Sequence, residues 1–364
     1  MSLAAADSRD RGGRAQPMLI ARALKKYFPV RGGGFLTRSH LHAVDDVSFS
    51  LGKGETIGIV GESGCGKSTL ARVVLNLIHR DAGELIFDGE AVGTSDGITL
   101  RDLRKSAQMV FQDSHASLNP RLSIEDTLAF GPMAHGAKRR EAVARALHLL
   151  NLVGLDPRRY AVCYPHELSG GQRQRVNIAR ALSLEPRLVV MDEPVSALDK
   201  SVEAQVLNLL IDLRQRLSLT YLFISHDLNV VRFISDRVMV MYLGRVVEIG
   251  AADTIFRRAA HPYTQGLLAS RLAMDPDKRI AAPPLSGDPP SPIDPAPGCR
   301  FAGRCPFVEE VCRVVTPELV RHGDKTGGKA DHLAHSERAH SDMTHSVACH
   351  MADAASSHSR AGNA

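Results

Sequence analysis

The sequence predicts an α/β fold. Apolar strand patterns at Thr56–Val60, Leu188–Met191 and Tyr221–Ile224 alternate with amphipathic helical patterns, the order that builds a mainly parallel sheet. A glycine-rich loop directly follows the first of these strands. Between about 120 and 182 the strand patterns stop and helical ones such as Glu141–Leu150 take over. We therefore expect a helical subdomain inserted into the α/β core.

Composition sets limits on function before any motif is considered. The chain has 364 residues, 44% hydrophobic and 23% charged, which is typical of a globular protein. No run of about 18 apolar residues predicts a membrane span. Residues 1–17 lack an apolar signal-peptide core and are expected to form a disordered tail. A net charge of +5 is too weak to indicate a nucleic-acid partner.

The glycine-rich loop is a candidate phosphate-binding site. It separates the strand Thr56–Val60 from a helix predicted at Lys67–Ile78, whose N-terminus attracts anions. Its glycines allow backbone N–H groups to face phosphate oxygens, while the lysine reaches the β and γ phosphates and a hydroxyl binds Mg²⁺. A chance glycine turn is the alternative, but the strand and helix on either side argue against it. The candidate nucleotide-binding residues are Gly61, Glu62, Ser63, Gly64, Cys65, Gly66, Lys67, Ser68 and Thr69.

Two carboxylates end the apolar strand Leu188–Met191. Asp192 is placed to hold Mg²⁺, and Glu193 to polarise an attacking water as the general base. The alternative is a helix-capping pair, which a preceding phosphate loop makes less favourable. We therefore predict ATP or GTP hydrolysis at this strand end.

A second anion-binding pattern lies at residues 167–175. Ser169, Gly170, Gly171 and Gln172 open a predicted helix and offer a hydroxyl, backbone N–H groups and a helix dipole. A helix cap would explain the serine but not both glycines. This segment resembles the signature motif of ABC-family ATPases, and the resemblance extends over residues 18–265. It implies a P-loop NTPase (RecA-like) core with an antiparallel β subdomain and an inserted helical subdomain.

The resemblance also implies roles for further positions. Gln112 matches the residue that senses Mg²⁺ and the attacking water, Asp199 the D-loop, and His226 the switch histidine that contacts the γ-phosphate. Tyr27 is similar to the aromatic residue that stacks on adenine, with Phe28 as the alternative. The implied catalytic set is Glu193, His226, Gln112 and Lys67, and the implied Mg²⁺ set is Ser68, Gln112 and Asp192. In this family the signature residues act in trans, on nucleotide bound by a second subunit.

Other segments narrow the resemblance to the ATPase subunits of dipeptide and oligopeptide importers, with residues 168–175 favouring the F-type subunit. The segments are Lys25–Arg31, Gly61–Gly66, Ser117–Arg121 and His261–Gln265, whereas Ser114–His115 departs from the usual Pro-Tyr. The implied partners are two membrane permease subunits, a second ABC ATPase in a heterodimer and an extracytoplasmic substrate-binding protein. The implied location is the cytoplasmic face of the bacterial inner membrane. The alternative is a non-transport ABC ATPase acting on ribosomes or DNA.

The C-terminal third carries most of the cysteines. A proline-rich linker is predicted at 266–297, a cysteine module at 298–350 and a disordered tail at 351–364. Cysteines at wide spacings fit an iron–sulfur cluster better than zinc, which prefers closely spaced pairs. The family resemblance also implies a [4Fe–4S] cluster; zinc and an empty site remain as alternatives. The candidate ligands are Cys299, Cys305, Cys312 and Cys349.

Overall fold

A computed structural model describes residues 10, 12–13, 16–31, 38–113, 116–270, 285, 287–322 and 345–362. Its strands are β1 (Leu19–Arg31), β2 (Arg38–Leu51), β3 (Thr56–Val60), β4 (Ala82–Phe87), β5 (Glu90–Ala91), β6 (Ala107–Val110), β7 (Leu188–Asp192), β8 (Thr220–Ile224), β9 (Arg237–Tyr242), β10 (Arg245–Ala251), β11 (Val320–Arg321) and β12 (Ser346–Val347). Its helices are α1 (Lys67–Val74), α2 (Leu100–Ser106), α3 (Ile124–Ala134), α4 (Arg139–Leu152), α5 (Pro157–Tyr160), α6 (Gly170–Leu182), α7 (Lys200–Leu217), α8 (Leu228–Ile234), α9 (Ala252–Arg258), α10 (Pro262–Ala269) and α11 (Glu310–Val314).

The larger sheet positions the candidate site. Its strand order is β11-β12-β10-β9-β3-β8-β7-β6, and the strands from β9 to β6 run parallel. Every residue of β3, β7 and β8 is buried, because helices or the second sheet cover both faces. The carboxyl ends of these strands meet at one edge, where ligands bind in open parallel sheets.

A smaller antiparallel sheet, in the order β2-β1-β4-β5, packs with α1 on one face of the larger sheet. On the other face α3, α4, α5 and α6 form a helical subdomain between β6 and β7, and the predicted α/β architecture is confirmed. Among the described residues, no helix combines the length and apolarity needed to cross a bilayer.

Individual elements follow the sequence patterns with local differences. Leu243 and Gly244 form the turn of the β9–β10 hairpin, with positive φ angles of 43° and 81°. The first helix ends at Val74 rather than at Ile78, because Asn76 adopts a left-handed φ of 49° that interrupts it.

The end of the chain differs from expectation. Residues 351–362 are not a disordered tail: Met351 and His358 are buried, and the His358 ring bonds the Phe307 carbonyl at 2.9 Å. The sequence pattern could not predict these contacts, because individual side chains make them and no periodic spacing of residues marks them. The described residues from 298 to 362, called the cysteine region below, also join the larger sheet, since β12 pairs with β10.

The linker and the N-terminal segment are tied down where the structure describes them. His42 N–H donates to the Pro292 carbonyl at 3.0 Å and Asp294 N–H to the His40 carbonyl at 2.9 Å, which places residues 292–294 along β2. Asp10 lies 2.5 Å from the Lys53 ammonium, so the expectation of a disordered tail over 1–17 is wrong at this residue. Ser114 and His115 lie outside the described residues.

Candidate nucleotide-hydrolysing site

The loop at 61–66 curls between β3 and α1 in a form that requires glycine. Gly61 and Gly66 have φ angles of 151° and 106°. A Cβ at Gly61 would lie 2.2 Å from the Met241 carbonyl oxygen, and one at Gly66 would lie 2.0 Å from that of Ala43. Side chains are therefore excluded at both positions, and the loop backbone keeps the close approach that phosphate binding needs.

Lys67 begins α1 and turns its side chain back into the loop. Its ammonium donates to the Gly61 carbonyl at 2.7 Å and to the Glu62 carbonyl at 2.9 Å. Cys65 is buried beside it, and burial raises the pKa of this thiol despite the neighbouring ammonium. A buried cation at a helix N-terminus is suited to attracting phosphate oxygens.

Ser68 and Asp192 come together across the site from α1 and β7. The Ser68 hydroxyl donates to Asp192 Oδ1 at 2.9 Å. Burial, with the adjacent charge of Glu193, raises the pKa of Asp192 although the hydroxyl bond opposes this. Hydroxyl and carboxylate oxygens are hard ligands, so this pair fits the donor set that Mg²⁺ prefers.

Two of the other predicted residues, Gln112 and His226, contact the Glu193 carboxylate. Gln112 Nε2 donates to Glu193 Oε2 at 3.0 Å, and His226 Nδ1 lies 3.2 Å from the same oxygen. Glu193 itself has a left-handed φ of 48°, and its N–H donates to the Ile224 carbonyl at 3.0 Å. A non-glycine residue in this conformation is strained, as is common at functional sites.

The signature residues open α6 and also cap it. Ser169 N–H donates to Gln172 Oε1 at 2.9 Å, and Gln172 N–H donates to Ser169 Oγ at 3.3 Å. A Cβ at Gly171 would lie 2.5 Å from Val202 Cγ1, whereas one at Gly170 would come no closer than 3.8 Å to Leu198. Packing therefore explains Gly171, while Gly170 stays exposed without a packing reason. Asp199, at the start of α7, is also exposed.

The two aromatic candidates on β1 have different surroundings. The Tyr27 ring stacks on His42 with centroids 4.0 Å apart, and its hydroxyl donates to Asp45 at 2.5 Å. Burial, then this bond, raises the pKa of the Tyr27 phenol. Phe28 has the Lys26 ammonium 5.3 Å from its ring centroid. One face of Tyr27 is thus already taken by His42.

Sequence reasoning missed two residues that contact the phosphate loop. The Tyr263 hydroxyl accepts a hydrogen bond from Glu62 N–H at 2.9 Å. The Arg304 guanidinium donates to both oxygens of the Glu62 carboxylate, at 2.9 and 3.1 Å. Both lie far along the chain, and only the docking of α10 and the cysteine region brings them here. The His261–Gln265 segment was a signal for Tyr263; nothing in the local pattern indicated Arg304.

The four C-terminal cysteines line one small cavity, together with His350, Met351 and His358. Burial raises the pKa of Cys299 to about 12 and that of Cys349 to about 11, with the neighbouring thiols adding to both shifts. Within the part of the chain that the structure describes, no three His, Cys, Asp or Glu side chains are close enough to hold a single metal ion.

The fold and the site together define a nucleoside triphosphatase with a phosphate loop, a hydrogen-bonded Ser68–Asp192 pair and the adjacent carboxylate of Glu193. Residues 44–196 match the ABC transporter family, and residues 247–312 match the oligopeptide/dipeptide transporter C-terminal region. The chain belongs to the ABC transporter family, in the group of peptide-import ATP-binding proteins, and it is an ATPase that powers an importer.

Relatives cover most of this chain. The dipeptide transport ATP-binding protein DppF of Escherichia coli is 47% identical over 312 residues, 85% of this chain and 92% of that protein. A putative peptide import ATP-binding protein of Brucella abortus is 48% identical over 83% of this chain and 94% of its own length. The solved ATP-binding cassette MJ0796, a dimer bound to ADP and Pi, has 29% identity and a TM-score of 0.56, covering 65% of this chain and 99% of its own.

Proposed function

We propose that this chain hydrolyses ATP to drive import of dipeptides, oligopeptides or a related solute such as nickel, glutathione or a sugar. The convergence of Gln112 and His226 on Glu193, one residue beyond the Asp192–Ser68 pair, is the observation that carries the proposal. Relatives named for dipeptide and oligopeptide transport support the substrate class.

Hydrolysis here depends on positioning and charge stabilisation rather than on covalent chemistry. Lys67 exchanges the carbonyls of Gly61 and Glu62 for the β and γ phosphates of ATP. Ser68, Asp192 and Gln112 would hold Mg²⁺, which neutralises charge on the phosphates when bound. Glu193 acts as the general base on water, and His226 orients the γ-phosphate.

We propose that the site is completed by a second ATPase subunit. Gly170 and Ser169 are exposed at the N-terminus of α6, a helix of 13 residues, and packing does not require glycine at 170. An open backbone there leaves room for a γ-phosphate to approach the helix dipole. The dimeric state of the cassette MJ0796 supports this assembly.

The helical subdomain supplies a surface for membrane permease subunits. Phe130 and Val162 expose 63% and 73% of their surface, Tyr164 exposes 41%, and Phe111 beside Gln112 exposes 37%. Contiguous exposed apolar surface marks protein interfaces, and a permease bound to this subdomain would cover these side chains. Contact there would couple Gln112 to the permeases at the cytoplasmic face of the membrane, with an extracytoplasmic binding protein delivering the solute.

Co-purification tests this assembly. The tagged chain should retain two membrane permease subunits and a second ATPase from detergent-solubilised membranes of its native host. A Phe130→Asp variant should lose the permeases and keep MgATP binding. Recovery with ribosomes or DNA and without membrane proteins would instead support the alternative non-transport function.

We propose that Cys299, Cys305, Cys312 and Cys349 hold a [4Fe–4S] cluster. The four thiols share one cavity, and their wide spacing along the chain suits a cluster better than the closely spaced pairs that zinc prefers. A cluster would supply a one-electron redox group and cross-link three chain segments. Anaerobically purified protein should contain iron and sulfide and absorb near ~400 nm; protein lacking all three would refute the proposal.

A further inference from the structure

A residue of the cysteine region makes a two-point contact with the phosphate loop. Arg304 directly precedes Cys305, and its guanidinium donates Nη1 and Nη2 to separate oxygens of Glu62. The Arg304 side chain is only 7% exposed, and that of Glu62 is 26% exposed. A paired, mostly buried guanidinium and carboxylate fix both distance and orientation, unlike a single surface ion pair.

Two aromatic side chains, Tyr242 and Phe301, hold Arg304 in place. Its guanidinium carbon lies 5.9 Å from the Tyr242 ring centroid and 6.0 Å from that of Phe301, and Nη1 donates to the Tyr242 hydroxyl at 3.3 Å. Tyr242 and Phe301 pack edge to face with centroids 5.5 Å apart. The Arg304 side chain therefore contacts both the β9–β10 hairpin, through Tyr242, and the cysteine region, through Phe301, and its guanidinium reaches the phosphate loop.

Glu62 is the point where several constraints on the loop meet. Its carbonyl accepts from Lys67 at 2.9 Å, its N–H donates to Tyr263, and its carboxylate is bound by Arg304. Because Glu62 follows Gly61 immediately, a rotation at 62 changes the direction of the loop N–H groups that must face phosphate. Arg304 restricts that rotation from outside the loop.

We propose that Arg304 is a positioning residue for nucleotide binding, through which the cysteine region holds the phosphate loop in its receptive geometry. It touches no reacting atom; it acts through Glu62. The contacts of Arg304 with Glu62, Tyr242 and Phe301 involve none of the four cysteine thiols.

Nucleotide affinity measured on the full chain tests the proposal. Replacing Arg304 with Ala should weaken MgATP binding about tenfold, the scale of a buried charge-assisted pair, with a smaller change in kcat. Glu62→Gln should weaken binding similarly, and the double variant should be no worse than either single variant. Arg304→Lys should keep part of the affinity, since lysine retains the positive charge but cannot donate two parallel hydrogen bonds to the carboxylate. Backbone amides of 62–66 should exchange hydrogen faster in Arg304→Ala.

Arg360→Ala is the matched control. Arg360 belongs to the same region and stacks on Phe307 at 4.5 Å, so its loss removes an equal charge without touching Glu62; MgATP affinity should stay at the wild-type value. If Arg304→Ala does not fold, Glu62→Gln breaks the same pair while leaving the aromatic group intact. Wild-type affinity in a folded Arg304→Ala or Glu62→Gln protein, or additive effects in the double variant, would overturn the proposal.

Discussion

The nucleotide site lies at the ends of three fully buried parallel strands. By contrast, the described part of the region from Gly298 to Gly362 has one α-helix, of five residues, and two strands, each of two residues. In the first region, the hydrogen bonds between strands fix which residues lie side by side, and so fix the position of each side chain. In the second, single contacts from residues such as His358 and Arg304 hold the chain. The catalytic geometry therefore tolerates little local change, while the C-terminal region depends on a few replaceable side chains.

The largest expected effect lies in the sheet-borne site. Glu193→Gln keeps the shape of the side chain and removes the base, so ATP hydrolysis should fall by more than about a hundredfold while ATP remains bound. Single-turnover hydrolysis and retention of labelled ATP measure the two effects. Normal hydrolysis in this variant would remove Glu193 from the role of base.

The two signature glycines differ in their packing, so substitutions at Gly170 and Gly171 distinguish a functional role from a packing role. Gly171→Ala would force a Cβ against Val202 and should destabilise the protein by about 1–3 kcal/mol. Gly170→Ala meets no atom within 3.4 Å and should leave the melting temperature unchanged, yet reduce ATPase turnover in the assembled transporter. Equal turnover in wild type and Gly170→Ala would argue against a phosphate contact at this residue.

The smallest effect concerns the docking of the C-terminal region on β10. Glu248 is fully buried, accepts from Ala260 N–H at 2.8 Å and faces His345 Nε2 at 2.7 Å. Burial alone would raise the pKa of Glu248, but the His345 bond and the backbone N–H bonds hold it below its usual 4.5. Its contribution to stability is thus present above pH 4.5 and lost as the pH falls through the lowered value.

Replacing Glu248 with Gln should remove this contribution. The difference in free energy of unfolding between wild type and Glu248→Gln should be largest above pH 4.5 and shrink in more acidic solution. Denaturant titrations at several pH values give this difference. Glu141→Gln, on the exposed face of α4, is the control and should show no such convergence; a constant difference for Glu248→Gln would contradict the prediction.

Sequence patterns predicted the features that depend on neighbouring residues. The loop at 61–69 and the strand end at Asp192 can each be recognised from a few neighbouring residues, so Ser68 and Asp192 were both predicted as Mg²⁺ ligands. The structure places their side chains 2.9 Å apart. The contacts of Arg304 with Glu62 join residues 242 positions apart and have no periodic signature. The order of residues 351–362 was missed for the same reason. The stacking of Tyr27 on His42 likewise depends on the register between β1 and β2.

The proline-rich segment beside β2 has a consequence for self-association. β2 is the outer strand of the smaller sheet, and an open strand edge offers unpaired N–H and C=O groups to other copies of the chain. Residues 292–294 occupy part of that edge, and Pro292 and Pro295 have no N–H to offer to a further strand. The segment therefore leaves fewer free hydrogen-bonding groups along β2, so copies of the chain are less able to pair strand to strand at this edge.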